Sequence, residues 1–390
     1  MQFVQIYKFY LLKGHTLMIN RSPPQQPKKI MLYPNPGLVF YTTPEGFMCH
    51  DPLRKNDYVL LPEYLERLTF WDGIKEDYLT QIDEELLEGD LLFDQKQEHY
   101  PWKGDKTSYS FHLSTRNHSS MTPKLTEAEV IESFTAMSNS KGEPLPRETA
   151  PHVLKTTLLP NPCEDDLRAL SFFDSLKKRK TSRNFNGDPV TLEHLSTLLH
   201  GTFGSIHGKK WEELSDLGVN FSSERRSNPS ASGLQACDCY LSVSHVTGLE
   251  PGFYRYNSDN HSLQLLSEGC DDEMQSYLMC DQFWIKGSAC GLFITVDMER
   301  MWHKSDLSRA YAYIFLEAGH TSQNLLLGST TLGLNTWLSG TMRDEFIAKK
   351  FQLDGYRCFP VSSVFIGNGT EEAVPVKIKE LALKKKAKGI

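Results

Sequence analysis

Two phosphate-binding signatures are missing from this sequence. No GxGxxG follows a predicted strand and no GxxxxGK[ST] occurs, so a phosphate-bearing ligand is not held in the Rossmann or P-loop manner. Zinc-type spacing is missing as well. The eight cysteines are scattered, and the closest pair, Cys237 and Cys239, is not a CxxC. They are expected to be free thiols of a reducing compartment, with no metal. A basic excess is also lacking: the formal net charge of -7 argues against nucleic acid as the main ligand, since phosphate contacts need a basic face. The opening MQFVQIYKFYLLKG is interrupted by Gln2, Gln5 and Lys8 and is shorter than the about 20 apolar residues that cross a bilayer. It lacks the basic, apolar and small-residue order of a secretory signal, so a cytoplasmic location without a membrane partner is expected.

What is present is a 390-residue chain, 39% hydrophobic and 23% charged, long enough for one large domain and a smaller one. The proline-rich NRSPPQQPKK of residues 20–29 and the irregular SNSKGEPLPRETAPH of residues 138–152 divide it. Between them, strands are expected at residues 38–41 and 58–60, two short helices over 62–88 and a strand at 91–93. After residue 152, Leu167, Leu170, Phe173 and Leu176 recur at i, i+3 and predict one face of a helix. A helix capped by Thr191 is expected to end before Gly201, and strands are expected at 239–246, 252–256, 263–266, 291–298 and 360–366. A long helix over 307–327 has Tyr311, Ile314, Phe315, Ala318 and Leu325 as its apolar residues. The expected divisions are a flexible segment 1–30, a small α+β domain 31–100 with a winged-helix-like arrangement as one option, a connector 101–164, a large domain 165–370 and a mobile basic tail 371–390.

Two stretches carry candidate chemistry. KKRKTSRNF (177–185) sets Arg179, Lys180 and Arg183 beside Thr181 and Ser182. Cations at a helix end complement its dipole, while Arg forks and hydroxyls also match phosphate oxygens. In RRSNPSASGLQACDCYLSV (225–243), Ser230, Ala231, Ser232 and Gly233 follow Pro229 ahead of a strand, a composition that lets backbone approach a flat or anionic ligand.

The order RKTSRNF, PVTLEHLSTLLHGTFG, PSASGL, GLEPGFYRYNSDNHSLQLL, RAYAYIFLEAGHTSQNLLLGSTTLGL and VFIGNG resembles the nitroreductase-like flavoproteins. More narrowly it is similar to the SagB-type dehydrogenases, which include azoline oxidases of the cyanobactin and microcin kind. The segment PWKGDKTSYSFHLSTRN (101–117) resembles the Trp-then-FHxST stretch that precedes their flavin domain. The resemblance implies an α+β fold, a central mixed sheet flanked by helices, with FMN as cofactor. It implies that Arg179, Lys180, Thr181 and Arg183 hold the phosphate end, and that Pro229, Ser230, Ser232, Gly233, Gln323, Asn324, Gly333 and Leu334 contact the flavin. A homodimer, a peptide substrate and a cyclodehydratase partner are implied too.

Azoline oxidation needs a base for a Cα proton, and a lysine serves if its pKa is lowered. Relatives carry an adjacent Lys-Tyr pair before R-A-Y. Here MWHKSDLSRAY puts Lys304 at the lysine position and Ser305 at the tyrosine, or His303 and Lys304 with a slip of one residue. Either alignment loses the tyrosine, for which Tyr311 or Tyr313 could stand in. Gln235-Ala236 replaces an aromatic and proline usual in relatives. The reading expected is an FMN-dependent dehydrogenase of azoline rings in a ribosomally made peptide. The alternatives are an NAD(P)H-dependent nitro or quinone reductase and a non-catalytic scaffold of a peptide-modifying complex.

Overall fold

The computed structural model describes residues 29–69, 73–76, 78–97, 102–116, 124–140, 147, 150–208, 225–303, 307–370, 372 and 374–387. They fall into two units, Met1–Ser114 and Thr115–Ile390. The first runs β1 (Ile30–Pro34), β2 (Val39–Thr43), β3 (Gly46–Asp51), β4 (Asn56–Val59), α1 (Pro62–Leu68), β5 (Ile74–Glu76), α2 (Gln81–Glu88) and β6 (Leu92–Phe93), with α3 (Lys106–Thr115) at its end. Strand order is β5-β1-β6 in one sheet and β2-β3-β4 in the other. Pro62 opens α1, where its missing N–H costs nothing. Thr80 opens α2 through a capping box: its hydroxyl accepts from Asp83 N at 3.2 Å and Asp83 accepts from Thr80 N at 2.9 Å. Leu32, Cys49, Leu68, Leu86 and Leu92 form the core of this unit.

The second unit contains α4 (Glu127–Ser140), β7 (Lys155–Leu158), α5 (Phe172–Lys178), α6 (Leu192–Phe203), β8 (Cys237–Val243), β9 (Gly252–Asn257), β10 (Ser262–Glu268), α7 (Asp272–Leu278), β11 (Cys290–Asp297), α8 (Met298–Trp302), α9 (Ser308–Thr331), β12 (Asn335–Ser339), α10 (Asp344–Lys350), β13 (Cys358–Gly367) and α11 (Val376–Ala387). Seven strands form one sheet in the order β12-β13-β11-β8-β9-β10-β7. Its ladders are antiparallel, and parallel pairing enters at the single bridges Thr181–Thr336 and Val190–Val246. Both faces are covered, so β11 is buried at every residue, and its centre, Leu292-Phe293-Ile294, is apolar on both. Leu292 and Ile294 pack with Leu195 and Leu199 of α6 and Ile314 and Leu325 of α9. Phe293 on the other face packs with Phe365, Trp337 and, from α10, Ile347. Among the described residues no helix is long and apolar enough to cross a membrane.

Three expectations are corrected. The 167–176 pattern is not one helix: a 3-10 turn (Glu164–Arg168) ends, and Ser171, extended at φ -64° and ψ 155°, caps a new helix by accepting from Asp174 N. Phe173 and Leu176 of that pattern are exposed. Helix α6 runs through Gly201 to Phe203 and stops at Gly204. The basic tail is helical: Asn184 accepts from Val376 N at 3.1 Å and donates to Glu372 and Val374 carbonyls, tying down the start of α11.

His261 ties β10 to α6. Its Nε2 lies 2.7 Å from Ser196 Oγ and 3.2 Å from the Pro160 carbonyl, and its Nδ1 lies 2.8 Å from the Tyr256 hydroxyl. A carbonyl only accepts, so Nε2 carries the hydrogen and Nδ1 takes the Tyr256 proton. Burial, with the nearby His200 adding to it, holds the imidazole below its usual value of 6.5. A base with a lowered folded pKa gives stability that is fully present above pH 6.5 and is lost as pH falls toward the folded value. The melting temperature should therefore fall between pH 7.5 and 5.5, and His261→Asn, which tolerates the left-handed φ of 50°, should flatten that part of the curve. An unaltered pH slope in the variant would contradict the assignment.

Candidate functional site

Residues 179–185 leave α5 and run along the edge of the sheet. Thr181 bridges Thr336 of β12, with Ser182 N donating to Thr336 O at 2.8 Å, and Phe185 bridges Gly369. Ser182 is buried, its hydroxyl on the Thr370 carbonyl at 3.1 Å, while Arg179, Thr181 and Arg183 are half-buried. Side chains two apart on extended backbone share a side, so the R-x-T-x-R spacing sets two guanidiniums and a hydroxyl together, opposite Ser182. Lys180 falls between them and is exposed.

The same edge holds the end of α9. Gly333, at φ 76°, donates to Thr330 O at 3.1 Å, and Leu334 N donates to Ser329 O at 2.8 Å, closing the helix before β12 begins. Gly333 is exposed with open space where a Cβ would stand, and Leu334 is buried. Ser175 of α5 and Thr331 of α9 are joined through their hydroxyls at 3.0 Å. The sequence candidates 179–183 and 333–334 are thus brought together.

A second group gathers at the middle of α9. Asn324 donates to Ser227 Oγ at 2.9 Å, just before Pro229, and Gln323 beside it is exposed. The loop that follows is wound left-handed at Ser232 (φ 52°), Gly233 (φ 66°) and Gln235 (φ 49°). For the two residues that are not glycine this costs about 1–2 kcal/mol each, so the surroundings must impose it. Pro229 and Ser232 face outward, whereas the Ser230 hydroxyl is engaged inside, donating to Glu317 Oε2 at 2.5 Å and accepting from Gln235 N at 2.9 Å. Between Asn324 and Gly333 the helix rises about 14 Å, which sets the two groups along one element.

Lys304 lies outside the described residues, with Ser305 and Asp306. Tyr311, in the first turn of α9, is not drawn into either group: its ring meets Phe315 and Phe359, and it points roughly 120° around the helix from Glu317. Of the apolar residues read on this helix, Tyr311 and Phe315 are exposed, while Ala310, Ile314, Glu317, Ala318, Thr321 and Leu325 are among its buried residues.

Reading the sequence missed the residues that hold the loop. Glu317 is 2% exposed, and its Oε1 accepts from Cys237 N at 2.9 Å. Three arginines take carbonyls of the same stretch: Arg300 on Leu234 at 2.9 Å, Arg147 on Gln235 at 3.3 Å and Arg226 on Cys237 at 2.6 Å. The available signal was a carboxylate inside the apolar stripe of a long helix. Burial, reinforced by Glu317, pushes the Cys237 thiol well up, and burial does the same to Cys239, so neither supplies a thiolate. A separate cleft of about 220 Å³, lined by Asp238, Asp297, Asp354 and Arg357 among others, contains none of the candidates. Asp238 there is already paired with Arg147, and Asp297 and Asp354 face the one lining guanidinium of Arg357, a balance that does not suit a phosphate. Arg179, Thr181 and Arg183, with the open backbone at Gly333, do fit one.

Residues 176–367 match the nitroreductase family. A Methanocaldococcus jannaschii protein named as a nitroreductase is 27% identical over 192 residues, 49% of this chain and 89% of that protein. A crystal structure of an Anabaena variabilis protein, also named as a nitroreductase, superposes with a TM-score of 0.50 at 20% identity over 70% of this chain. This chain spans about half of that protein, 49% of its length. A chain of the E. coli microcin synthetase McbBCD complex with truncated pro-MccB17 bound aligns at 18% identity over 65% of this chain and all (100%) of that one, with a TM-score of 0.42 too low to bear on function. The matched segment takes in six of the seven strands of the sheet, β8 to β13, and the helices α6 and α9 against it, so the likeness to the nitroreductase family lies in this part of the fold.

Proposed function

We propose that this chain is an FMN-dependent oxidoreductase that dehydrogenates azoline rings in a ribosomally made peptide. The observation that carries the cofactor half is the alignment of the Arg179, Thr181 and Arg183 edge with the end of α9, inside a family segment whose members typically bind FMN. Arg179 and Arg183 would hold the phosphate, with Thr181 donating its hydroxyl and Lys180 adding charge. Gly333, Leu334, Pro229, Ser230, Ser232, Gly233, Gln323 and Asn324 would line the rest of the cofactor, Ser230 through its backbone. When bound, FMN supplies two-electron redox chemistry. Lys304 would take the Cα proton of the ring, and Tyr311, set apart from both groups, is left out of that role.

The peptide half is supported by the resemblance at residues 101–117 and 248–266. Within the first, α3 is opened by Asp105, which accepts from Ser108 N at 2.7 Å, and the Trp102 indole donates to Ser108 Oγ at 3.1 Å. A homodimer is part of the proposal, supported by Phe172, Phe173, Leu176, Phe315 and Leu316, which are apolar and exposed on α5 and α9. Anaerobic mixing with NADPH tests the substrate reading: a peptide oxidase keeps its visible flavin absorbance. Rapid bleaching would instead make it an NAD(P)H-dependent reductase of quinones or nitro compounds.

A further inference from the structure

We propose that Glu317 is a positioning residue that fixes the 229–235 loop in its ligand-facing shape, an inference that rests on the FMN reading for its effect on binding but not for its effect on the loop. The carboxylate reaches two ends of one turn. Its Oε2 takes the Ser230 hydroxyl and its Oε1 takes the Cys237 amide, seven residues on in the chain. Ser230 relays the restraint by accepting from Gln235 N, so the amide of one left-handed residue is fixed through the carboxylate. The arginines act on the other polarity of the same stretch, taking the carbonyls of Leu234, Gln235 and Cys237. Donors and acceptors of the turn are thereby claimed from separate elements. With its hydroxyl facing inward, Ser230 leaves Pro229 and Ser232 as the outward surface of the loop.

Glutamine at 317 keeps the size but has one acceptor oxygen where the carboxylate uses two, so either the Ser230 hydroxyl or the Cys237 amide loses its acceptor. In cofactor-free full-length protein, Glu317→Gln should raise amide hydrogen exchange at residues 231–237 about tenfold or more. It should also raise the FMN dissociation constant about 10- to 100-fold and alter the visible circular dichroism of the bound flavin. Ser230→Ala should reproduce both effects, and the double variant should bind no worse than the weaker single variant, because the two residues act in series. Should Glu317→Gln fail to fold, Ser230→Ala carries the same comparison of exchange and affinity. Wild-type exchange and affinity in the variants, or losses that multiply in the double variant, would overturn the role. If the wild-type protein binds no FMN yet exchange still rises, the cofactor reading falls and the positioning role stands.

Discussion

Replacing Arg179 and Arg183 together with alanine weakens FMN binding at least about a hundredfold. On the proposed reading each guanidinium would make charge-assisted hydrogen bonds of about 1.5–3 kcal/mol to the phosphate, so losing two would remove about 3–6 kcal/mol. The backbone that carries them is held independently of both side chains, by Arg179 N on Ser175 O at 2.9 Å and Ser182 N on Thr336 O at 2.8 Å. Lysine at the two positions keeps the charge but not the planar fork, and recovers part of the affinity. Fluorescence titration of cofactor-free protein with FMN gives the dissociation constants. An unchanged value in the double variant would remove the phosphate seat from residues 179–183.

The next largest effect is expected at Gly369. A Cβ there would stand 2.1 Å from the Asn184 carbonyl oxygen and 2.9 Å from Phe185 Cα, both backbone atoms that cannot rotate away. The pairing that depends on this approach is Thr370 N on Asn184 O and Asn186 N on Asn368 O, each at 3.0 Å. Gly367 is held close in the same way, with its Cβ position 2.9 Å from Ala289 N. Gly369→Ala combines overpacking with stretched hydrogen bonds, about 3 kcal/mol or more, and should lower the melting temperature by about 6–12 °C. It should also weaken FMN binding, since residues 184–186 continue directly from the proposed phosphate-binding residues 179–183. Gly340→Ala is the control, because its Cβ would meet nothing nearer than the Val361 oxygen at 3.9 Å. Equal melting temperatures for the two variants would show that the close approach does not hold the seat.

The sheet was legible where local pattern and tertiary role agree. The Leu292-Phe293-Ile294 centre of β11 and the Val364-Phe365-Ile366 end of β13 are apolar and buried on both faces, and the R-x-T-x-R spacing needs only extended backbone to bring its side chains together. β12 and β7 went unread because β12 mixes polar and apolar residues and only two of the four residues of β7 are even half-buried or apolar. On α9 the periodicity was right, yet it cannot say which of two apolar stripes meets the sheet. Ala310, Ile314 and Ala318 do, and Tyr311 and Phe315 remain outside. The 167–176 repeat failed because Ser171 offers its hydroxyl to Asp174 N and restarts the helix. Glu317 was invisible because its partners are 80 and 87 residues away, Cys237 and Ser230, and no local signal joins them. The glycines of VFIGNG matched a family pattern, while the reason for them is the backbone of residues 184–185 lying against Gly369.

The cofactor itself gives the most direct test of the central claim. The absorbance spectrum of the purified protein should show flavin bands, and the compound released on denaturation should have the mass of FMN. A colourless protein that binds no added FMN would contradict the oxidoreductase reading and leave a scaffold of a peptide-modifying complex in its place.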